Sequence, residues 1–370
     1  MSVNHVKLST GETLIDLRSD TVVPETLAEG VTAHNSQGEQ ITGTMTGGGG
    51  EIGSQYINTS EMTDFSYFFA WTARKEYTLT VDTRKATTFK NIFLNVNFLY
   101  DYPQPNHLFF PCTVLPSGNV ENFQGMFESS ALLKTVASFD TSNGTEFYNM
   151  FANCKKLQSV GLLDTSKGTD FSYMFQYCEA LTTIPQLDTS KGTNFAYMFA
   201  NCTALTTVPQ LDTSNGTNVN GIFTDCKSLT SIPQLDTSNN KNFGYMFRNC
   251  ESLTTIPQLD TSKGTSFMYM CDGCKALTTI SITTMSTDMN IYTFRNCSAL
   301  TDITIGEGWA VTIILNASNN ISQASLHGMI ENLADLTGKT AKKFTVGTTN
   351  IAKIDAEHIA MLEAKNWTYS

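Results

Sequence analysis

Nine cysteines are the first place to look for chemistry in this 370-residue chain. Cys271-Asp-Gly-Cys274 has the spacing of a redox pair or of half a zinc site, because thiolates two residues apart can share one ion or one disulfide. No second pair of that spacing exists to complete a zinc site. Cys154, Cys178, Cys202, Cys226, Cys250 and Cys274 instead recur every 24 residues, and Cys297 continues them. That regularity predicts one core column of reduced thiols, since a buried free Cys behaves as a small hydrophobe. Cys271 stands where Phe247 stands one period earlier, so it reads as a core substitution. His5, His34, His107, His327 and His358 show neither HxxxH nor HExxH spacing, and no nucleophile elbow or phosphate-binding loop is present. Asp140, Asp164, Asp188, Asp212, Asp236 and Asp260 share the 24-residue period, which predicts a turn residue bonding nearby backbone rather than an acid–base pair. The expectation is a protein with no catalytic residue, no metal ligand and no cofactor, and not an enzyme.

What must position these residues is a repeat. One unit reads Asp188-Thr-Ser-Lys-Gly-Thr-Asn-Phe195-Ala-Tyr-Met198-Phe199-Ala-Asn-Cys202-Thr-Ala-Leu205-Thr-Thr-Val208-Pro-Gln-Leu211. Weaker copies run upstream from Asn58 to Phe65, from Asp82 to Phe89, and from near Pro116 to Phe123, Met126 and Phe127. Downstream, Ile291, Phe294, Cys297, Leu300 and Ile303 form a copy expected to be shortened by two residues. Phe195, Met198, Phe199 and Cys202 fall at i, i+3, i+4 and i+7, which predicts a short helix or helical turn. The run from Leu205 to Leu211 predicts an extended segment, and the Asp-Thr-Ser-(Lys/Asn)-Gly-Thr stretch predicts a turn whose Gly supplies φ > 0. A unit this short cannot bury its apolar face alone. Stacked copies can, giving a solenoid of about ten coils with a parallel strand ladder.

Composition follows from the repeat. Charged residues make up only 15%, against roughly 25% in ordinary globular domains, because Thr, Ser and Asn supply the polar surface. The net charge of -11 argues against nucleic acid, whose phosphates need clustered Lys and Arg. No apolar run is long enough to span a membrane, and no secretory signal is visible at Met1 to His5, so classical export is disfavoured.

The F-x-x-M-F-x-x-C-x-x-L core followed by D-T-S resembles leucine-rich repeats of the BspA-like type, in the subgroup found in mycoplasma and other bacterial surface proteins. The resemblance covers residues 58–305. It implies an α/β repeat solenoid, a right-handed coil of ~24-residue units, and a surface for binding and adhesion rather than catalysis. Residues 47–57, which include Gly47-Gly48-Gly49-Gly50, read as a linker leading into it.

Residues 1–46 carry a second resemblance. Asp20-Thr21-Val22, Leu27, Gly30, Thr32-Ala33-His34, Gly38 and Ile41-Thr42-Gly43-Thr44 keep the order and spacing of a small module of bacteriophage tail and baseplate proteins. This implies docking to other tail or baseplate proteins, with Leu14, Ile15, Leu17, Val22, Leu27, His34 and Ile41 as the candidate contacts. The residues themselves predict short strands and turns with too little core to stand alone. Residues 306–370 break the rhythm and read as an α/β cap. Leu326, Met329, Ile330 and Leu333 predict one helix, Phe344-Thr345-Val346 a short strand, Asp355 the N-cap of a second helix bearing Ile359 and Leu362, and Trp367-Thr368-Tyr369 a last strand.

Two features stand out as contact surfaces. Tyr173, Tyr197, Tyr245 and Tyr269 share a repeat position interrupted by Gly221, and on a helical wheel they point away from the core Phe. Such rings can stack on sugars or a protein partner, or they can cover the seams between coils. An insertion of ten residues in the coil starting at Asp82 brings Tyr100, Tyr102, His107, Phe109 and Phe110 close together. That loop can bind a ligand, or pack on the N-terminal module or a neighbouring subunit. Thr182-Thr183, Thr206-Thr207, Thr254-Thr255 and Thr278-Thr279 predict polar ladders. Gln176, Ala200, Thr224, Arg248 and Asp272 read as variable exposed positions where ligand choice is tuned. The two resemblances together imply a phage tail-tip or tail-fibre protein, folded in the host cytoplasm with reduced cysteines. It would be present as a homo-oligomer or in multiple copies on the virion, and it would bind a host cell-surface glycan or protein. A structural virion component and a bacterial surface adhesin are the alternatives.

Overall fold

The computed structural model describes residues 63–66, 85–93, 119–136, 138–282, 292–315 and 318–370, together with the backbone of several short strands outside them. Two compact units are present, Met1–Asp170 and Phe171–Ser370.

The first unit opens with β1 (Asn4–Lys7), β2 (Thr13–Leu17), β3 (Thr32–His34) and β4 (Gln40–Thr42). They form one antiparallel sheet in the order β2-β1-β3-β4. Leu14, Ile15 and Leu17 lie on β2, His34 on β3 and Ile41 on β4, while Val22 and Leu27 fall outside the described residues. Strands β5 (Ser54–Tyr56), β6 (Thr78–Val81) and β7 (Cys112–Val114) then pair in parallel. Isolated parallel bridges run Asp64↔Thr88, Thr88↔Asn122, Asn122↔Glu146 and Glu146↔Asp170. Each step is one repeat, except that Thr88 to Asn122 is ten residues longer, as the insertion requires. β8 (Thr135–Val136) and β9 (Ser159–Val160) complete this unit.

In the second unit the bridges continue as Asn194↔Asn218, Asn218↔Asn242 and Asn242↔Ser266. Here the expected helical turn is absent. Backbone amides at Met198, Ala200 and Cys202 donate to Phe195, Tyr197 and Phe199, three residues back. The alternate amides, at Phe195, Tyr197, Phe199 and Asn201, donate instead to Asn218, Asn220, Ile222 and Thr224 of the next coil. An α-helix keeps all its amides within itself. This segment gives every second one to its neighbour.

The chain achieves this by turning left-handed every fourth residue. Tyr173, Tyr197, Gly221, Tyr245 and Tyr269 at one corner, and Tyr177, Asn201, Asp225, Asn249 and Gly273 at the next, have φ between +54° and +81°. The first unit repeats the device at Gly125 and Asn149, and at Ser129 and Asn153. Asn, Asp and Gly suit that region and Tyr does not. The Tyr corners therefore persist because the inter-coil bonds on both sides over-determine them.

The core assignments hold although the helix does not. Phe195, Met198, Phe199, Cys202, Leu205 and Leu211 are all buried. Phe rings stack coil on coil: Phe171 on Phe195 at 5.7 Å, Phe199 on Phe223 at 5.9 Å, and in the first unit Phe127 on Phe151 at 5.3 Å. Each such pair contributes about 0.5–1.5 kcal/mol beyond its buried area. The eight described cysteines are free and buried, Cys271 in the Phe slot among them. Cys202 Sγ donates to Phe175 O at 3.1 Å, Cys226 to Phe199 O at 3.0 Å and Cys250 to Phe223 O at 3.1 Å. Burial holds these thiols far above their ordinary pKa, so they are unreactive core groups.

The strand ladder is thinner than expected, and proline is the reason. Pro185, Pro209, Pro233 and Pro257 each remove an amide from the segment that should pair. The neighbouring Gln replaces it, with Gln186 Nε2 donating to Gln210 O, Gln210 to Gln234 O and Gln234 to Gln258 O, each at 2.7 Å. Where no proline intervenes, true strands form: β8 with β9, and β10 (Thr279–Ile282) with β11 (Asp302–Ile305). The last pair is in register Ile280↔Ile303, so that coil is one residue short and not two.

The Asp-Thr-Ser turn is built as expected around Asp. Asp188 Oδ1 accepts from Ser190 N at 3.0 Å and from Ser190 Oγ at 2.7 Å, and Asp140, Asp164, Asp212 and Asp236 repeat the pattern. Its Thr is buried, and Thr189 Oγ1 donates across to Asp212 O at 2.9 Å. Its Gly does not have positive φ. Gly192 is needed for space: a Cβ there would lie 2.4 Å from Cζ of Phe195. Asn240 occupies the same repeat position with its side chain fully buried and neither amide atom hydrogen bonded.

The cap follows β12 (Ile313–Ile314) with α1 (Gln323–Asn332), β13 (Lys342–Thr345), the single turn α2 (Thr348–Ile351), α3 (Ala356–Ala364) and β14 (Trp367–Tyr369). Asp355 caps α3 as expected, and Leu326, Met329, Ile330, Leu333 and Leu362 are buried. Strands β12, β13 and β14 pair in parallel.

Two outcomes follow. Asn240→Gly relieves a buried unsatisfied amide and stabilises by about 1 kcal/mol, whereas Gly192→Ala destabilises by about 1–3 kcal/mol, both measured by denaturant unfolding. The Ser bonds hold Asp140, Asp164, Asp236 and Asp260 below their ordinary pKa. Their contribution is present above the unfolded carboxylate range and is lost as pH falls through the lowered folded values. The melting temperature therefore drops below about pH 4, and Ser166→Ala with Ser238→Ala reduces that drop.

Candidate functional site

The surface with the most defined chemistry lies at the Tyr corners of the second unit. Tyr173 stacks on Tyr197 at 5.3 Å, Tyr245 on Tyr269 at 5.1 Å, and Tyr269 on Tyr292 at 4.5 Å. The rings are half-buried. They cover the seams between coils and leave one edge of the stack outward. Gly221 interrupts the row because the Tyr197 ring lies over it: a Cβ would sit 2.4 Å from Cε1, on a backbone with φ +59°. Burial raises the pKa of the Tyr197 phenol.

Two guanidinium groups lie beside the second stack. Arg248 Cζ is 6.0 Å from the ring centres of both Tyr245 and Tyr269, and Arg295 Cζ is 4.7 Å from that of Tyr292. Asp272 fixes Arg295 in a bidentate pair, at 2.9 Å to Nε and 2.7 Å to Nη2. This bonding raises the Arg295 pKa. Asn296 Nδ2 adds a third donor to Asp272 at 3.3 Å. The result is an immobilised aromatic and cationic strip able to stack on planar or sugar faces and to accept anionic groups.

Sequence reasoning found the Tyr column but misplaced its surroundings. Ala200, Thr224 and Asp272, expected to be exposed and tunable, are buried, and of the five residues so expected Gln176 and Arg248 are part-exposed. The helical wheel misled here, because this residue follows an inter-coil bond and turns inward. Tyr292 and Arg295 were missed, although a one-residue slip in the last repeat would have aligned Tyr292 with the column. Tyr100, Tyr102, His107, Phe109 and Phe110 lie outside the described residues. The Thr pairs are exposed, and Thr278 Oγ1 donates to Thr254 O at 3.2 Å and Thr230 Oγ1 to Thr206 O at 3.3 Å, so the first Thr of the pair forms the ladder. His327 and His358, distant in sequence, come together in the cap.

Residues 115–207 and 179–285 match the family described as "Mycoplasma protein of unknown function, DUF285". No curated protein matches the chain. Among solved structures, a leucine-rich repeat protein from Bacteroides ovatus is similar with a TM-score of 0.33 and 14% identity, over 79% of this chain and 83% of that one. A leucine rich cell surface protein from Faecalibacterium prausnitzii is similar with a TM-score of 0.28 and 17% identity, over 77% of this chain and 96% of that one.

The Asp272–Arg295 pair sets an order of damage. Arg295→Gln leaves a buried carboxylate with only the longer contact to Arg248 Nε, at 3.9 Å, whereas Asp272→Asn frees a part-exposed guanidinium that can turn to water. Thermal melting should show the larger loss for Arg295→Gln. Equal losses would mean that the pair is not the anchor of the strip.

Proposed function

We propose that this chain is a non-enzymatic binding protein of a bacteriophage tail, in which the coils present a contact surface to a host cell-surface glycan or protein. The observation that carries this reading is the Tyr245, Tyr269 and Tyr292 stack flanked by Arg248 and Arg295. These side chains are already held by stacking and by Asp272, so little ordering entropy is lost when a partner docks. The exposed Thr rows and the low charge favour hydroxyl-rich ligands over charged polymers. Several copies on one particle would turn weak contacts into firm attachment.

Support for the tail location comes from residues 1–46. The Thr32-Ala33-His34 and Ile41-Thr42 parts of the phage-module motif fall on β3 and β4, which pair in the register Ala33↔Ile41 as one hairpin. A small sheet of this kind suits docking onto a larger assembly, with tail or baseplate proteins as partners. A second reading, a bacterial surface adhesin, is favoured by the match of residues 115–285 to a mycoplasma family. Antibodies raised against the purified full chain separate the two. Under the tail reading they label the tail end of purified particles and block adsorption to the host. Label confined to the surface of bacterial cells, with none on particles, would support the adhesin and remove the tail role.

A further inference from the structure

We infer that the C-terminal cap binds a borderline divalent metal ion such as Zn²⁺ between α1 and α3, through His327, Asp355 and His358. Residue 327 lies on α1, and residues 355 and 358 form the N-cap and first turn of α3. The two imidazoles stack with centroids 3.6 Å apart. Ligand atoms of His327, Asp355 and His358 all lie within 4.8 Å of one another.

The spacing across the two helices fits an ion better than a direct bond. His327 Nε2 is 3.7 Å from Asp355 Oδ2, too long for a hydrogen bond. Two ligands each ~2.05 Å from a tetrahedral ion lie about 3.4 Å apart. His327 Nε2 is buried with no hydrogen-bond partner, a cost that coordination would remove. Asp355 is already held, since its Oδ1 accepts from His358 N at 2.9 Å and lies 2.7 Å from His358 Nδ1, leaving Oδ2 directed at His327. The Asp355 carboxylate offsets part of the charge of a dipositive ion. Imidazole nitrogens favour Zn²⁺ and its neighbours over Mg²⁺ or Ca²⁺. Bound there, the ion would tie the two cap helices together and raise the melting temperature of the second unit.

The test is titration of the reduced full-length protein, freed of metal by a chelator, with Zn²⁺ in a calorimeter and with Co²⁺ in a visible spectrometer. One equivalent should bind, with d–d bands of a nitrogen- and oxygen-ligated ion and no thiolate charge-transfer band. His327→Gln, which loses no hydrogen bond and so should fold, should weaken binding at least about 100-fold, because even second-shell losses cost ~10–100-fold. His358→Gln should do the same in any preparation that keeps the parent's circular dichroism. Absence of saturable binding, a thiolate band, or unchanged affinity in His327→Gln would each overturn the site.

Discussion

The repeat coils depend on one constraint: every second amide of the Phe-Met-Phe-Cys segment must reach the next coil, while the others close turns within their own. A helix cannot meet that demand, and an extended strand cannot supply the turns. The chain satisfies both with a left-handed residue every four positions, seen at Tyr197 and Asn201 and again at Tyr245 and Asn249. The remaining features follow. From Phe123 onward the Phe of one coil lies over that of the next and the rings stack nearly parallel, whereas Phe65 with Phe89 and Phe89 with Phe123 meet edge to face. Cysteine is small enough to sit beneath the turn and donate to the neighbour's carbonyl. Glycine stands where the Phe ring crosses the backbone at Gly144, Gly192 and Gly264, and Asn240 holds that position with an unsatisfied amide.

That geometry also explains what the amino-acid sequence revealed and what it hid. Period, register and the buried residues were legible because one column of one residue type marks each layer. The helix was misread for a definite reason. Turns recurring every four residues place Phe195, Met198, Phe199 and Cys202 on one side at i, i+3, i+4 and i+7, the same offsets as a helix. Only the pairing of amides distinguishes the two, and that is a property of the neighbouring coil. The thin ladder between Leu205 and Leu211 was legible in principle, since Pro209 cannot donate. The Gln210 amide that replaces it carries no periodic signal of its role, which depends on the next coil.

The candidate surface divides the same way. A repeated Tyr is visible in one dimension, yet its covering by Arg248 and Arg295 depends on a carboxylate, Asp272, that looked exposed on a wheel drawn for the wrong backbone. His327 and His358 could not be joined from spacing, because thirty residues of cap separate them and only the docking of α3 against α1 closes the gap. Irregular ends of a repeat protein are where pattern reading stops and individual packing begins.

Function rests on the same rigidity. Side chains pinned by stacking and by the inter-coil bonds present a preformed face, which suits recognition by many modest contacts. The most direct measurement is the backbone φ of Tyr173, Tyr197, Tyr245 and Tyr269 in a high-resolution crystal structure of the full chain. The account predicts values near +55°. Values near −60°, with amides bonded four residues back, would mean that the coils are helical and would contradict it.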